Sequence, residues 1–284
     1  MNGFAHDRPV RRHRQSISQS KSPLIHASFA LATGQDLVYS AILGPTDSVE
    51  AFAQVVRDFA ANGGRGMNVT APFKLQAFDL ATDRLERAEL AGATNALKFD
   101  GQRIVADNFD GIGLVNDIQR NIGLSLAGKR VLMLGAGGAA RGALLPILAE
   151  RPTEVVVANR DVAKAHALAA RFSGHGRIIG CGYGDIGSER FDVVINATSA
   201  SLKGVKGELP PLAAQAFNGD GLAYEMVYGK GLTPFLRMAH DAGVRHIADG
   251  VGMLVEQAAQ AFEWWRGVRP QTIDVIRQLT VPLR

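Results

Sequence analysis

The sequence predicts an α/β fold in two units, the second a parallel sheet with helices on both faces. Three observations predict it. Strand-like and helix-like segments alternate through the middle of the chain, a glycine-rich turn joins one strand to one helix there, and 46% of the 284 residues are apolar, enough for a substantial core.

In chain order, Leu37 to Leu43 reads as a strand. Asp47 with Glu50 three positions on forms a capping box opening a helix to about Ala61, stopped by Gly63 and Gly64. Gly66 to Thr70 is a short strand, and Ala96 to Phe99 with Arg103 to Ala106 form a hairpin about Asp100-Gly101. A helix runs from about Gly111 to Ile122. The strands Arg130 to Leu134, Glu154 to Ala158, Phe191 to Asn196 and Leu222 to Met226 then alternate with helices Ala139 to Ala149 and Val162 to Phe172. Two helical stretches, Met253 to Trp265 and Thr272 to Leu279, close the chain, and the boundary between units falls near residue 110.

Composition excludes several functions. The formal net charge of +4 resides in residues 1–22, where Arg8, Arg11, Arg12, Arg14 and Lys21 face only Asp7. The remainder is balanced, so no broad basic face is expected and nucleic acid is not an expected partner. No apolar run is long enough to cross a membrane, and the basic start lacks the apolar core of a secretory signal. A single cysteine, Cys181, excludes an internal disulfide and a cysteine-based metal cluster, and fits a cytoplasmic protein.

The strand ending at Leu134 runs into Gly135-Ala136-Gly137-Gly138-Ala139-Ala140, a G-x-G-x-x-A turn. Gly135 permits the tight turn, Gly137 lets backbone amides approach a pyrophosphate, and Ala140 lets the helix pack closely. This reads as a Rossmann-like dinucleotide-binding domain. The next strand ends at Asn159-Arg160, where a carboxylate would select NAD; Arg160 and Lys164 instead suit a 2′-phosphate, so NADP is the expected cofactor. Asp161 is an unfavourable neighbour if its side chain faces that phosphate.

In the first half, Asn68-Val69-Thr70-Ala71-Pro72-Phe73-Lys74 can aim an amide, a hydroxyl and an ammonium into one cleft. Asp107-Asn108-Phe109-Asp110-Gly111 precedes a helix, and Ser20-Lys21-Ser22-Pro23 precedes another. Read alone, Lys74 also fits a surface lysine, while Asp110 and Ser22 also fit helix N-caps.

Together these segments resemble the shikimate dehydrogenase family. So do Gly92-Ala93-Thr94-Asn95, Asn196-Ala197-Thr198-Ser199, Thr233-Pro234-Phe235-Leu236 and Gly252-Met253-Leu254-Val255-Glu256-Gln257. The resemblance implies NADP-dependent interconversion of 3-dehydroshikimate and shikimate in chorismate and aromatic amino acid biosynthesis. It implies an active site in the cleft between an N-terminal α/β substrate domain (1–110, completed by helices in 250–284) and a Rossmann-like NADP domain (111–249). Lys74 and Asp110 become the catalytic pair; Ser20, Ser22, Thr70, Asn95, Tyr228 and Gln257 hold substrate, with Asn68 in support. Gly135 to Ala140, Asn159, Arg160, Lys164, Thr198, Gly250 and Met253 hold the cofactor, Gly252 and Met253 lying near the nicotinamide. The chemistry suits these types, since an ammonium can meet charge developing on a ketone oxygen and hydroxyl or amide groups can read a polyhydroxylated ring. The expected partner is this small molecule, with a homodimer left open. Gln257 also fits a polar position on an amphipathic helix, and Trp264 and Trp265 read as packing residues.

The sequence departs from the family in three places. Val10 to Ile17 carries Arg11, Arg12, His13 and Arg14 where the family has an apolar strand, so residues 1–16 are expected not to form that strand. Gln19 replaces a histidine, and Asp161 a threonine. Phe109 replaces a threonine beside Asp110, which is expected to disturb substrate affinity or Asp110 alignment. Two other readings stand beside the leading one: an NAD-dependent quinate/shikimate dehydrogenase, and a non-catalytic sensor of nucleotide or shikimate.

Overall fold

The computed structural model describes residues 20–46, 48–198, 200, 211–212 and 214–283. The expectations for residues 1–16 and Gln19 therefore lie outside the described residues.

The first unit begins with helix α1 (Ser22–Thr33), closed by Gly34 in the left-handed conformation (φ 63°). Ser22 is its first residue, not its cap. Helix α2 (Val49–Ala61) is capped by Ser48, whose side chain accepts from Ala51 N–H. This corrects the expected Asp47–Glu50 box: Asp47 is outside the described residues, and Glu50 pairs with Arg57. Then follow β1 (Gly66–Asn68), α3 (Lys74–Leu80), β2 (Asp83–Arg84), α4 (Glu86–Ala91), β3 (Ala96–Asp100) and β4 (Arg103–Asp107). The strands form a sheet in the order β1-β3-β4-β2, with β3 and β4 the expected antiparallel hairpin. Leu37 to Leu43 is not a strand. It has no ladder partner among the described residues, and Val38 is 91% exposed.

Helix α5 (Asp110–Asn116) continues into a π-helical turn over Asp117–Asn121 and leads to the second unit. That unit contains β5 (Arg130–Leu134), α6 (Gly138–Ala149), β6 (Glu154–Ala158), α7 (Val162–Phe172), β7 (Ile178–Cys181), β8 (Phe191–Asn196), β9 (Phe217–Glu225), α8 (Pro234–Asp241) and β10 (His246–Asp249). All six strands are parallel, in the order β10-β9-β8-β5-β6-β7. The strand order reverses between β5 and β8, the place where ligands sit in doubly wound sheets. Val131 and Met133 face one core layer and Leu132 and Leu134 the other, which explains the continuous apolar strand.

Helix α9 (Val251–Arg266) and α10 (Ile273–Leu279) return to the first unit, where Val255, Ala258, Ala259 and Phe262 pack on Ile25 and Phe29 of α1. Helix α5 crosses both α6 and α9 at glycines. A Cβ on Gly111 would lie 2.4 Å from Gly142 O, the carbonyl that Pro146 leaves without its helical donor. A Cβ on Gly113 would lie 2.6 Å from Met253 O. Trp265 and Trp264 pack as expected: Trp265 donates to Leu97 O (3.0 Å), and Trp264 meets the ring of Phe109 edge-on.

Candidate active site

Lys74 opens α3 immediately after a turn in which Phe73 N–H donates to Thr70 O. Its carbonyl accepts from Thr94 N–H, tying the lysine to the entry of β3. Asp110 opens α5, and Asn108 Oδ1 accepts from the Asp110 N–H at 3.1 Å. The Asp110 carboxylate is thus not a cap. Its Oδ2 accepts from Lys74 Nζ at 2.6 Å and its Oδ1 from Asn95 Nδ2 at 2.8 Å. The Lys74 side chain is 32% exposed and that of Asp110 14%, so the pair borders solvent without being dissolved in it.

Asn95 links the parts. Its Oδ1 accepts from Phe109 N–H (2.9 Å), which fixes the amide so that Nδ2 faces Asp110 and Gln257 Oε1 (3.2 Å). Gln257, on α9, in turn donates to Leu254 O. Four segments far apart in sequence thereby place Lys74, Asn95, Asp110 and Gln257 in one hydrogen-bonded group.

Phe109 does not protrude into this group. Its ring is 1% exposed, lies edge-on to Trp264 at 5.4 Å between ring centres, and carries the Arg87 guanidinium over its face. Arg87 also pairs with buried Asp107, whose carboxyl is pushed up by burial against the pull of Arg87. The bulk of the ring is absorbed beneath the site, and Asp110 meets Lys74 directly.

The other substrate candidates are placed less tightly. Ser20 Oγ accepts from Ser22 N–H (3.3 Å), and Ser22 lies near enough to Tyr39 to pull its hydroxyl down. Thr70 is exposed at the end of the β1 segment, and Tyr228 is 42% exposed after β9. Neither joins the Lys74 group through a hydrogen bond among the described residues.

Sequence reasoning missed two supports. The first lies under Asn68, whose Oδ1 accepts from Tyr39 Oη (2.9 Å) and His26 Nε2 (3.1 Å). Burial drives the His26 imidazole down to about 4, against the hydrogen bond to Asn68, and Nδ1 has no partner. The proton therefore belongs on Nε2. Burial likewise pushes Tyr39 up to about 12, opposed by Ser22. The second support is Tyr224, whose hydroxyl donates to Asp117 Oδ2 (2.7 Å) and accepts from Met253 N–H (3.3 Å). Burial pushes both the Tyr224 hydroxyl and the Asp117 carboxyl up. These partners lie 29 to 107 positions apart, beyond any local motif.

On the nucleotide side, Gly135 has φ 104°, and its N–H donates to Ala158 O (2.8 Å). Thr198 sits over it: a Cβ on Gly135 would lie 3.2 Å from Thr198 Cγ2. A Cβ on Gly137 or Gly138 would meet nothing within 4 Å, so space lies open in front of the α6 N-terminus. Ala140 is fully buried, as close helix packing requires. A turn with free room and a helix start at the sheet's switch point fits a dinucleotide pyrophosphate. Gly250 and Gly252 are explained by their neighbours, since a Cβ on Gly250 would run into Met226 O and one on Gly252 into the Asp117 carboxylate. Asn159 Nδ2 donates to Asp161 O, Arg160 is exposed, and Lys164 lies one helical turn on.

Three family models match: "Shikimate dehydrogenase substrate binding domain" over residues 14–97, "Shikimate / quinate 5-dehydrogenase" over 117–209, and "Shikimate 5'-dehydrogenase C-terminal domain" over 250–279. The chain is 51% identical to the shikimate dehydrogenase (NADP(+)) of Nitrosospira multiformis, covering 93% of this chain and 94% of that one. It resembles the crystal structure of an Ael1 enzyme from Pseudomonas putida at TM-score 0.88 and 56% identity, covering 95% and 97% of the two chains. It also resembles shikimate 5-dehydrogenase from Thermus thermophilus in complex with NADP(H) and shikimate, at TM-score 0.79 and 28% identity, covering 93% and 97%.

Proposed function

The chain belongs to the shikimate dehydrogenase family; we propose that its reaction, the NADP-dependent interconversion of 3-dehydroshikimate and shikimate, is carried by Lys74 and Asp110. The observation that supports this most strongly is the 2.6 Å contact between Lys74 Nζ and Asp110 Oδ2. NADPH, when bound, supplies the reducing equivalent. In the reducing direction Lys74 Nζ holds the ketone oxygen and gives it a proton as negative charge develops there. Asp110 fixes the direction of that ammonium, and Asn95 fixes Asp110.

Ser20, Ser22, Thr70, Asn95, Tyr228 and Gln257 are the residues proposed to hold the substrate's hydroxyls and carboxylate, with Asn68 in support. Buried hydroxyl and amide partners penalise an analogue that lacks a group, which is the basis of selection. Gly135 to Ala140 with Thr198 would hold the pyrophosphate, Asn159, Arg160 and Lys164 the 2′-phosphorylated ribose, and Gly250 and Met253 the nicotinamide end. In this reading residues 1–110 with 250–284 form the substrate domain and 111–249 the cofactor domain. The single cysteine supports a cytoplasmic location, and a homodimer is the assembly to test by light scattering. Initial rates with shikimate and NADP test the reaction. Cofactor reduction is expected, whereas faster turnover of quinate with NAD, or binding without turnover, would replace this reading.

A further inference from the structure

We infer that Asp161 narrows the cofactor selectivity of this chain by holding Lys164, so that discrimination of NADP from NAD falls mainly to Arg160. The inference rests on the proposed placement of the 2′-phosphate beside Arg160 and Lys164.

Asp161 is the N-cap of α7 and is held from two sides. Its Oδ1 accepts from Lys164 N–H at 3.3 Å, and its Oδ2 lies 3.5 Å from Lys164 Nζ. The Asn159 side chain donates to Asp161 O at 2.9 Å and fixes the turn that brings the carboxylate there. The carboxylate cannot swing away without uncapping the helix.

The ion pair itself is weak, with side-chain exposures of 70% for Lys164 and 50% for Asp161. Its consequence for a ligand is larger than its strength. A phosphate approaching this turn must share the Lys164 ammonium with a carboxylate already placed beside it, and meets that carboxylate's charge as well. Arg160 forms no ion pair among the described residues, and its charge draws down the Tyr183 hydroxyl against the larger upward push of burial. It is thus the one cation of the two that faces the phosphate uncompensated. An uncharged cap would serve the α7 backbone equally well, because asparagine caps as effectively as aspartate. The negative charge at residue 161 adds only a weak interaction with the helix dipole at the start of α7, and it also bears on any anionic ligand that reaches this turn.

The test compares the association constants of NADP and NAD, measured by calorimetry without shikimate, and kcat/KM for each nucleotide with shikimate, all at low ionic strength. The variants are Asp161→Asn, Asp161→Thr, Lys164→Gln, Arg160→Gln and the double Asp161→Asn/Lys164→Gln, each checked for an unchanged melting temperature. Asp161→Asn and Asp161→Thr are expected to raise the NADP:NAD ratio about fivefold, the size of a surface charge contact, with the gain shrinking as salt is added. Lys164→Gln is expected to lower the ratio less than about twofold in the parent chain, but about fivefold when Asp161 is already Asn. If Arg160→Gln lowers the ratio while both residue-161 variants leave it unchanged, the inference fails and the placement of the phosphate stands. If Arg160→Gln also leaves the ratio unchanged, the phosphate lies elsewhere and both fail.

Discussion

Asp110 uses its two carboxylate oxygens on two different partners: Oδ2 accepts from Lys74 Nζ at 2.6 Å, and Oδ1 from Asn95 Nδ2 at 2.8 Å. A carboxylate held at one oxygen can aim a lysine with the other. The lysine's flexible stem then needs no further restraint at its tip.

Asn95→Ala removes this restraint, the contact to Gln257 and the acceptor for Phe109 N–H together. A hydrogen bond to a charged group contributes about 1.5–3 kcal/mol, so kcat/KM for shikimate is expected to fall about ten- to a hundredfold. Initial rates on protein with an unchanged circular dichroism spectrum check this.

Phe109→Thr installs the family's usual residue and is expected to destabilise this chain. The phenyl ring is fully packed against Trp264 under Arg87, and truncation leaves a cavity costing about 3 kcal/mol. Urea denaturation measures it, and an unchanged midpoint would show that the threonine is as well accommodated.

Tyr224→Phe keeps the ring and removes the hydroxyl between Asp117 and Met253. A loss of about 2 kcal/mol in unfolding free energy is expected at neutral pH. Burial holds the Asp117 carboxyl above its ordinary value, so protonation is easier in the folded chain than in the unfolded chain. The ionised form depends most on the lost donor, and the defect should be larger above that raised value than in acid. Chemical denaturation across pH tests the sign.

His26 predicts an acid limb of stability. Its imidazole is driven from 6.5 down to about 4 in the folded chain, so the unfolded chain takes up the proton first as pH falls. Stability is fully present above about 6.5 and declines by about 3 kcal/mol by about pH 4. His26→Gln, which cannot titrate, is expected to flatten this part of the profile measured by denaturation at successive pH values.

Much of the second unit was legible because its elements are coded locally. Arg130–Leu134, Glu154–Ala158, Val162–Phe172 and Phe191–Asn196 coincide with their expected bounds, each being an apolar strand or a periodic helix bordered by turn residues. The first unit was harder. Its strands are short, and Leu37 to Leu43 has strand composition but no ladder partner among the described residues. A ladder is a property of two segments, and one segment's composition cannot supply the other. The site followed the same division. The motifs containing Lys74, Asp110, Asn95 and Gln257 could be read singly, while their meeting, and the supports from Tyr39, His26, Tyr224 and Asp117, depend on long-range packing. Asp161 shows the reverse: its residue type was visible, but its capping of α7 and its hold on Lys164 needed the geometry.

The most direct measurement of the central claim is the rate of NADP reduction by shikimate with Lys74→Ala, alongside shikimate binding by calorimetry and the melting temperature. Turnover is expected to fall at least about a hundredfold, the usual size of a general acid–base contribution, in a folded variant that still binds shikimate. Turnover within a few-fold of the parent chain would remove Lys74 from the chemistry and contradict the account.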